Sequence, residues 1–395
     1  MTGNTLRVSM VTETYPPEIN GVAMTVSQLV GQLSGKGHHV ELVRPKQPVE
    51  PALAHGAEST VLVPGFPIPG YRELRFGAPA SRQLTRRWQQ QRPDVIYVAT
   101  EGPLGWAAVK VANRLRIPAV SGFHTQFHHY SQYYRLGWLE PLLYRYLRSL
   151  HNSTACTLVP TEAMRRTMGE EIPSIEVLGR GIDCQRFTPK KRSEALRREW
   201  GAGPRDKVFL YVGRLAREKN ISLALNSFLR LRETNPDIRF VLVGHGPDYC
   251  RLYSRYEGLI FAGSKVGDEL ARYYASADVF LFPSVSETYG NVVLEAMASG
   301  LGVVAFDDAA AGIHIRHGYN GMLAEPQDDA AFVRHCQTLL ANEAFLNAIR
   351  RQARVAMEGI AWEQVGAEFE RILRVHAGME VGDESGERLA ADFSR

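Results

Sequence analysis

Pro283-Ser-Val-Ser-Glu-Thr-Tyr-Gly-Asn-Val-Val-Leu-Glu-Ala-Met-Ala-Ser-Gly-Leu-Gly302 follows directly on the apolar run Asp278-Val-Phe-Leu-Phe282. The run is short, aromatic and β-branched, which is the composition of a buried strand. Ser284 to Tyr289 reads as a loop. Val292, Val293, Leu294, Ala296, Met297 and Ala298 read as an apolar helix that stops at Gly300. The unit is strand, loop, helix, with the helix starting at the C-terminal end of a strand. Such a start presents unpaired backbone N–H groups and a partial positive charge, which suits a phosphate. Glu287 in the loop and Glu295 inside the helix flank that point. A nucleotide diphosphate sugar has the matching layout of sugar, diphosphate and ribose. Taken singly, Glu287 reads as a solvated loop acid and Glu295 as a surface helix acid. The neighbours Val293, Leu294, Ala296 and Met297 make a purely solvent role the poorer reading for Glu295.

The chain has 395 residues, room for two or three domains. Its 45% apolar and 22% charged content is that of a soluble globular protein. No run of about eighteen apolar residues occurs, so no transmembrane helix is expected. Met1-Thr-Gly-Asn-Thr-Leu-Arg-Val8 runs into a strand pattern without a signal-peptide core. Cys156, Cys184, Cys250 and Cys336 lie far apart without metal spacing and read as reduced thiols of a cytosolic protein. A net charge of +4 is too weak to argue for nucleic acid.

From the start, Leu6–Glu13 reads as a buried strand, Thr14–Gly21 as a Pro/Gly loop, Val22–Leu33 as a helix and His38–Pro45 as the next strand. This is a βαβ unit of the Rossmann type, with its loop at the sheet edge where ligands bind. Gly21 is either an ordinary tight turn or a point where backbone comes close to a phosphate or sugar. Further strands are expected at 59–63, 94–100, 118–124, 155–160 and 175–179, alternating with helices, so the first half is doubly wound α/β. Tyr71–Arg92 carries Arg72, Arg75, Arg82, Arg86, Arg87 and Arg92 among Tyr71, Leu74, Phe76, Leu84 and Trp88. Phe127–Leu150 mixes Arg135, Arg145 and Arg148 with aromatic and leucine residues. Basic and aromatic residues together suit an anionic membrane surface, whereas a core stripe with solvated arginines is the plainer alternative. His124 ends a strand, where doubly wound sheets keep reactive side chains, though a lone His there is more often structural. His128 and His129 follow, but the partner spacing of known metal motifs is missing. The absence of any Asp-x-Asp pair gives no indication of a metal on a diphosphate.

Gly179–Pro189 leads into the charged stretch Lys190–Asp206, read as the interdomain link with a hinge near 183–206. A second α/β half follows. Its first strand, Val208–Gly213, opens the loop Gly213-Arg-Leu-Ala-Arg-Glu-Lys-Asn220, where Arg214 and Lys219 could hold a diphosphate. Gly244-His-Gly246 fails as a dinucleotide fingerprint. Strands at 239–246, 259–263 and 302–306 and a helix at 267–277 complete the pattern, with Gly318–Gly321 read as a turn. Trp362–Val375 reads as an amphipathic helix, and Met379–Arg395 as a disordered tail.

Taken together, these residues resemble the retaining family-4 glycosyltransferases of the GT-B fold. The resemblance covers nearly the whole chain. It rests on Thr12-Glu-Thr-Tyr-Pro-Pro-Glu-Ile-Asn-Gly-Val22, Gly122-Phe-His-Thr-Gln126, Gly181-Ile-Asp183 with Phe187 and Pro189, Gly213-Arg-Leu with Glu218-Lys-Asn220, and the Glu287/Glu295 pair. It implies two Rossmann-like doubly wound domains facing across a cleft: an acceptor domain at 1–186 and a nucleotide-sugar domain at 187–360. A C-terminal helix at 361–376 would return to the first domain, and 377–395 would be a polar tail. Arg214 and Lys219 would bind the donor diphosphate and stabilise the leaving nucleotide. Glu287 would bind donor sugar hydroxyls, with the Gly290, Asn291 and Val292 backbone at sugar and phosphate. Glu295 would take the ribose hydroxyls and His124 would lie beside the donor sugar ring. Gly21 would sit near the diphosphate and acceptor, and Asp268 is a candidate for the base or ribose pocket. No metal and no cofactor is implied. Gly302 stands where many members have Pro, and Asn20-Gly21-Val22 has one glycine where many have two.

The closest resemblance, through Phe-His-Thr-Gln-Phe127 and Ala309–Gly318, is to a subgroup that glycosylates diacylglycerol or phosphatidylinositol-type lipids, with relatives using GDP-mannose. The expected function is therefore transfer of a hexose from a UDP- or GDP-sugar to a lipid, on the inner face of the cytoplasmic membrane. Mannosyl transfer from GDP-mannose to a phosphatidylinositol-type or polysaccharide acceptor is the alternative. A nucleotide-sugar-binding protein without turnover is the alternative of another class, and the full set of site residues argues against it.

Overall fold

The computed structural model describes residues 5–18, 20–47, 56–68, 71–124, 140–285 and 287–380. His128, His129, the basic and aromatic stretch up to Leu139 and the tail from 381 lie outside the described residues. The described chain divides into two compact units. One comprises residues up to His124, Pro141–Gly179 and Glu363 onward; the other includes Arg180–Trp362.

The first unit is built on a seven-stranded sheet ordered β3-β2-β1-β6-β7-β8-β9. Its strands are β1 (Arg7–Val11), β2 (His39–Pro45), β3 (Ser59–Val63), β6 (Val95–Val98), β7 (Ala119–Gly122), β8 (Cys156–Val159) and β9 (Ile175–Val177). All neighbours pair in parallel. Helices such as Gly21–Gly35 and Pro103–Leu115 lie between them in the chain. Parallel pairing demands such crossovers, and covering helices explain why β1, β6, β7 and β8 are almost wholly buried runs. An antiparallel hairpin of β4 (Gly65–Ile68) and β5 (Tyr71–Gly77) was not legible in the sequence. Its cross-strand pair Phe66 and Phe76 is exposed.

The second unit holds a six-stranded parallel sheet ordered β12-β11-β10-β13-β14-β15. The strands are β10 (Val208–Val212), β11 (Arg239–Val243), β12 (Ile260–Gly263), β13 (Val279–Phe282), β14 (Gly302–Phe306) and β15 (Met322–Ala324). Alternation along β10 sends Val208, Leu210 and Val212 into one apolar cluster and Phe209 and Tyr211 into another, so both faces are dry. The short β15, which pairs with β14, appears just after the turn read from Gly318–Gly321.

The strand order gives each sheet one switch point, between β1 and β6 and between β10 and β13. Chain leaves neighbouring strands there in opposite directions, and a crevice opens at their carboxyl ends.

The passage 180–206 is not a free link. Arg354 Nη1 donates to the Phe187 and Ala298 carbonyls, each at 2.8 Å, and Arg354 Nη2 donates to the Cys184 carbonyl at 3.1 Å. Arg197, fully buried, donates to Asp278 Oδ2 at 3.0 Å and to the Asp206 carbonyl at 2.7 Å. The expected hinge stretch is thus tied into the second unit, and the chain passes between units at 179/180 and 362/363. The helix Trp362–Ala377 packs on the first unit from Glu363 onward. Phe369 meets Tyr97 edge-on at 4.9 Å, and Glu370 accepts from Lys36 at 2.9 Å.

Candidate active site

The switch point of the second sheet is formed by the loops after β10 and β13. The first carries Arg214 and a short 3-10 turn, Arg217–Lys219; the second carries Glu287 and Gly290. Lys219 Nζ donates to Glu287 Oε1 at 2.6 Å, and both side chains are mostly buried. This contact spans the two loops. Glu287 also lies under Gly290, where an added Cβ would meet Glu287 Cγ at 3.7 Å. Arg214 Nη1 lies 3.7 Å from buried Glu218 Oε1, and its carbonyl accepts from the Tyr211 hydroxyl at 3.1 Å. Burial raises the Tyr211 hydroxyl well above its ordinary range, and the Glu287 and Glu218 carboxylates add to the rise. Tyr211 therefore joins Arg214, Glu218 and Glu287 into one neighbourhood.

Gly290 adopts φ +91° and caps the helix Asn291–Ala298, and no side-chain cap bonds to its first turn among the described residues. Only glycine takes that conformation without strain. A helix start of this kind offers first-turn amides as donors for an anion. Val292 is half-buried beside them.

Glu295 lies farther along the same helix, and Tyr274 donates to its Oε2 at 2.9 Å. Burial lifts the Glu295 carboxyl to about 7, against the lowering effects of the Tyr274 hydroxyl and Arg186. Asp268 stands apart. It is highly exposed and paired to Lys191 Nζ at 2.7 Å, with Arg186 Nε at 3.8 Å. The Lys191 bond is the main cause that holds its carboxyl below the ordinary range. Arg186 acts on both Asp268 and Glu295.

The Gly244-His-Gly246 turn, which lacks the dinucleotide fingerprint, has a definite place. A Cβ at Gly244 would lie 1.9 Å from the Gly213 carbonyl, and one at Gly246 would lie 2.4 Å from the Leu215 carbonyl. The two glycines let the Arg214 loop lie flat against the β11 loop, which Leu215 N–H closes onto the His245 carbonyl at 3.0 Å. The signal was present as a G-x-G after a strand, but its partner was another backbone and not a ligand.

His124 and Gly21 belong to the first unit. His124 Nε2 and the Tyr97 hydroxyl lie 2.7 Å apart, both buried. A Cβ at Gly122 would stand 2.3 Å from that hydroxyl, so glycine there is a condition of the pair. The His124 amide donates to the Glu101 carboxylate. Burial pushes Glu101 up to about 8, with neighbouring Glu13 adding to the rise. Glu101 Oε1 and His151 Nε2, 3.8 Å apart, have no hydrogen-bond partner among the described residues. Burial takes His151 down to about 4, so it is neutral. Glu13 accepts from the Gly77 and Leu104 amides at 2.8 and 2.9 Å, and burial raises it to about 7. Gly21 opens its helix behind Asn20, whose Oδ1 accepts from the Ala23 amide at 2.8 Å. That helix start is thus partly occupied by its own chain, unlike the one at Gly290. Tyr97, Glu101 and Glu13 were missed in the sequence because a buried polar residue inside an apolar strand or loop looks like ordinary core.

Two family models match the chain: one described as Glycosyltransferase Family 4 over residues 19–186, and one as Glycosyl transferases group 1 over 206–342. A GDP-mannose-dependent alpha-mannosyltransferase of Mycobacterium tuberculosis (strain CDC 1551 / Oshkosh) is 34% identical over 306 residues, covering 76% of this chain and 79% of its own. An alpha-monoglucosyldiacylglycerol synthase of Streptococcus pneumoniae is 28% identical over 314 residues, covering 76% of this chain and 71% of its own. Among solved structures, Anabaena HepE in complex with UDP-glucose superposes with a TM-score of 0.73 at 16% identity, covering 94% of this chain and all of the other, which is a likeness of fold.

Proposed function

The chain belongs to the family-4 glycosyltransferases of GT-B fold, and from that premise we propose that it moves mannose from GDP-mannose to a hydroxyl of a membrane lipid. That it is a hexosyltransferase using a nucleotide sugar follows from the family itself. The donor is favoured by the name of the mycobacterial relative. The observation that carries the reading is the Lys219–Glu287 contact at the switch point, beside the open helix start at Gly290.

In this reading Lys219 leaves Glu287 for the diphosphate, joined by Arg214 and the amides of Asn291 and Val292. Glu287, released, accepts from the donor sugar hydroxyls. Glu295 and Tyr274 hold the ribose, with Arg186 and Asp268 at its outer side. We assign His124 and Gly21 to the sugar and acceptor side of the reaction. The acceptor oxygen attacks the anomeric carbon on the face the diphosphate leaves, so configuration is retained. The bond from that carbon to the β-phosphate oxygen breaks, and the departing phosphate takes the hydroxyl proton. Two cations and a helix start stabilise the charge that grows on the nucleotide, without a metal.

A second reading, glucose from UDP-glucose onto diacylglycerol, is favoured by the name of the pneumococcal relative. A lipid acceptor is supported by the exposed Arg82 and Arg86 on the helix Ser81–Gln90, and by exposed Phe66 and Phe76 on the β4–β5 hairpin. Leu84 and Trp88 of that helix are core, so Arg82 and Arg86 lie on its outward face together with Gln83, Gln89 and Gln90. No helix of the described residues is long and apolar enough to cross a membrane.

A thermal-shift panel of GDP-mannose, UDP-glucose, UDP-galactose and UDP-glucuronate, followed by transfer to phosphatidylinositol and diacylglycerol, tests both readings. GDP-mannose should raise the melting temperature and yield a mannolipid. UDP-glucose alone giving a product selects the second reading, and no product from any pair overturns both. Charge reversal at Arg82 and Arg86 should reduce flotation with anionic vesicles; flotation equal to the parent's removes the membrane-contact assignment.

A further inference from the structure

A second cluster of chemistry-bearing side chains lies in the first unit. Cys156 opens β8, Glu176 is central in the adjacent β9, and His376 is near the end of the helix Trp362–Ala377. Two strands and the returning helix thus bring three residues together that are remote in the chain. His376 Nε2 lies 3.2 Å from Glu176 Oε1, and Cys156 Sγ lies 3.7 Å from the same oxygen. All three ligand atoms fall within 4.8 Å of one another. A tetrahedral zinc with bonds of about 2.0–2.3 Å sets its ligand atoms roughly 3.3–3.7 Å apart. Two of the three separations therefore need little adjustment, and a short swing of the half-buried His376 closes the third.

We propose that Cys156, Glu176 and His376 form a binding site for a zinc-class divalent ion that pins the C-terminal helix to the first sheet. The donor set decides the class of metal. Thiolate and imidazole are ligands for zinc and its neighbours, not for magnesium or calcium. The carboxylate's surroundings fit the same use. Arg371 Nη2 donates to the other oxygen, Glu176 Oε2, at 2.9 Å, which leaves Oε1 as a monodentate ligand. Arg371 is itself paired to Glu368 at 2.7 Å, so its charge is already balanced. Hydrogen bonding of a ligating carboxylate from outside is the usual support of a metal ligand. On binding, the Cys156 thiol gives its proton to solvent, and the thiolate and Glu176 carboxylate together neutralise the ion. Water takes the fourth position from the side on which Glu176 and His376 are partly open. Widely spaced cysteines carry no metal motif in sequence, because the strands and helix that unite these ligands are distant along the chain. The site is independent of nucleotide binding and stands or falls apart from the transfer reaction.

The test uses tag-free, metal-stripped, reduced full-length protein titrated with cobalt(II) and then zinc. One equivalent of cobalt should produce a thiolate-to-metal charge-transfer band, and zinc should displace it. The band should vanish in Cys156→Ser, and His376→Gln should weaken cobalt binding at least tenfold. Zinc should raise the melting temperature of the parent and not of His376→Gln, which alters a partly exposed side chain and so keeps its far-ultraviolet circular dichroism. Absence of the band at equimolar cobalt overturns the proposal. So does a band that persists in Cys156→Ser, or zinc stabilisation undiminished in folded His376→Gln.

Discussion

Lys219 and Glu287 hold opposite charges 2.6 Å apart at the switch point of the second sheet. In the proposed reaction each then meets a different part of the donor. Lys219→Ala and Glu287→Ala should each lower turnover about a hundredfold, the scale of losing one transition-state contact. Steady-state kinetics with the preferred donor check this, and unchanged rates in both variants would contradict the assignments. At Glu101 the prediction concerns pH. Its carboxyl ionises near 4.5 in the unfolded chain and near 8 when folded, chiefly through burial. Between those values the folded protein binds more protons than the unfolded one, so this group's contribution makes stability fall as pH rises through the window. Glu101→Gln should flatten that slope in urea unfolding, leaving the shares owed to Glu13 and Glu295, each of which burial raises to about 7. An unaltered slope refutes the burial account. Lys219, Glu287 and Glu295 were legible as a motif because they share short loops and one helix. Tyr274, Tyr211 and Arg186 were not, since what marks them is a partner across the fold.

Between elements, two contacts decide whether the loops after β10 and β13 stand where they do. Gly246→Ala would place a methyl group 2.4 Å from the Leu215 carbonyl and push the Arg214 loop off β11. A displacement of about 1 Å near a reacting centre costs on the order of a hundredfold in rate. The variant should therefore fold, as circular dichroism would show, yet lose turnover to that degree. Asp278 is the other anchor. It stands just before β13 and binds Arg192, Arg197 and Arg350 at 3.0–3.2 Å. Burial works to raise its carboxyl, but the three guanidiniums and the Val208 amide outweigh it and hold it below the ordinary range. Asp278→Ala leaves buried cations uncompensated and should cost about 3–5 kcal/mol in denaturant unfolding. Most strands of the two sheets were readable to within a residue or two, as β14 at Gly302–Phe306 illustrates, but the strand read at 239–246 ends at Val243 and β15 was not read at all. The β4–β5 hairpin was hidden because its prolines and outward phenylalanines break the expected alternation.

Across the whole molecule, the chain leaves the first unit, builds the second and returns its last helix to the first. Phe369, Ile372 and Leu373 are fully buried there, and Phe369 supports the Tyr97 ring whose hydroxyl holds His124. Phe369→Ala should cost about 3–5 kcal/mol. It should also lower kcat, by loosening Tyr97, in protein still folded at assay temperature. Loss of stability with kcat intact would confine Phe369 to packing. The sequence showed an amphipathic helix at 362–375 but nothing in its pattern says which surface its apolar stripe meets.

By itself, the amino-acid sequence determined the alternation of strands and helices, the two-unit α/β plan and the family motifs. Those are local signals: apolar period, glycine at helix ends, acids and cations within one loop. Tertiary structure alone decided that Lys219 reaches Glu287, that Gly244 and Gly246 serve another loop, that the passage 183–206 is anchored, and that Cys156, Glu176 and His376 converge. Each of these depends on strand order and crossover path, which bring residues from distant parts of the chain within a few ångströms, and no spacing along the chain encodes that distance.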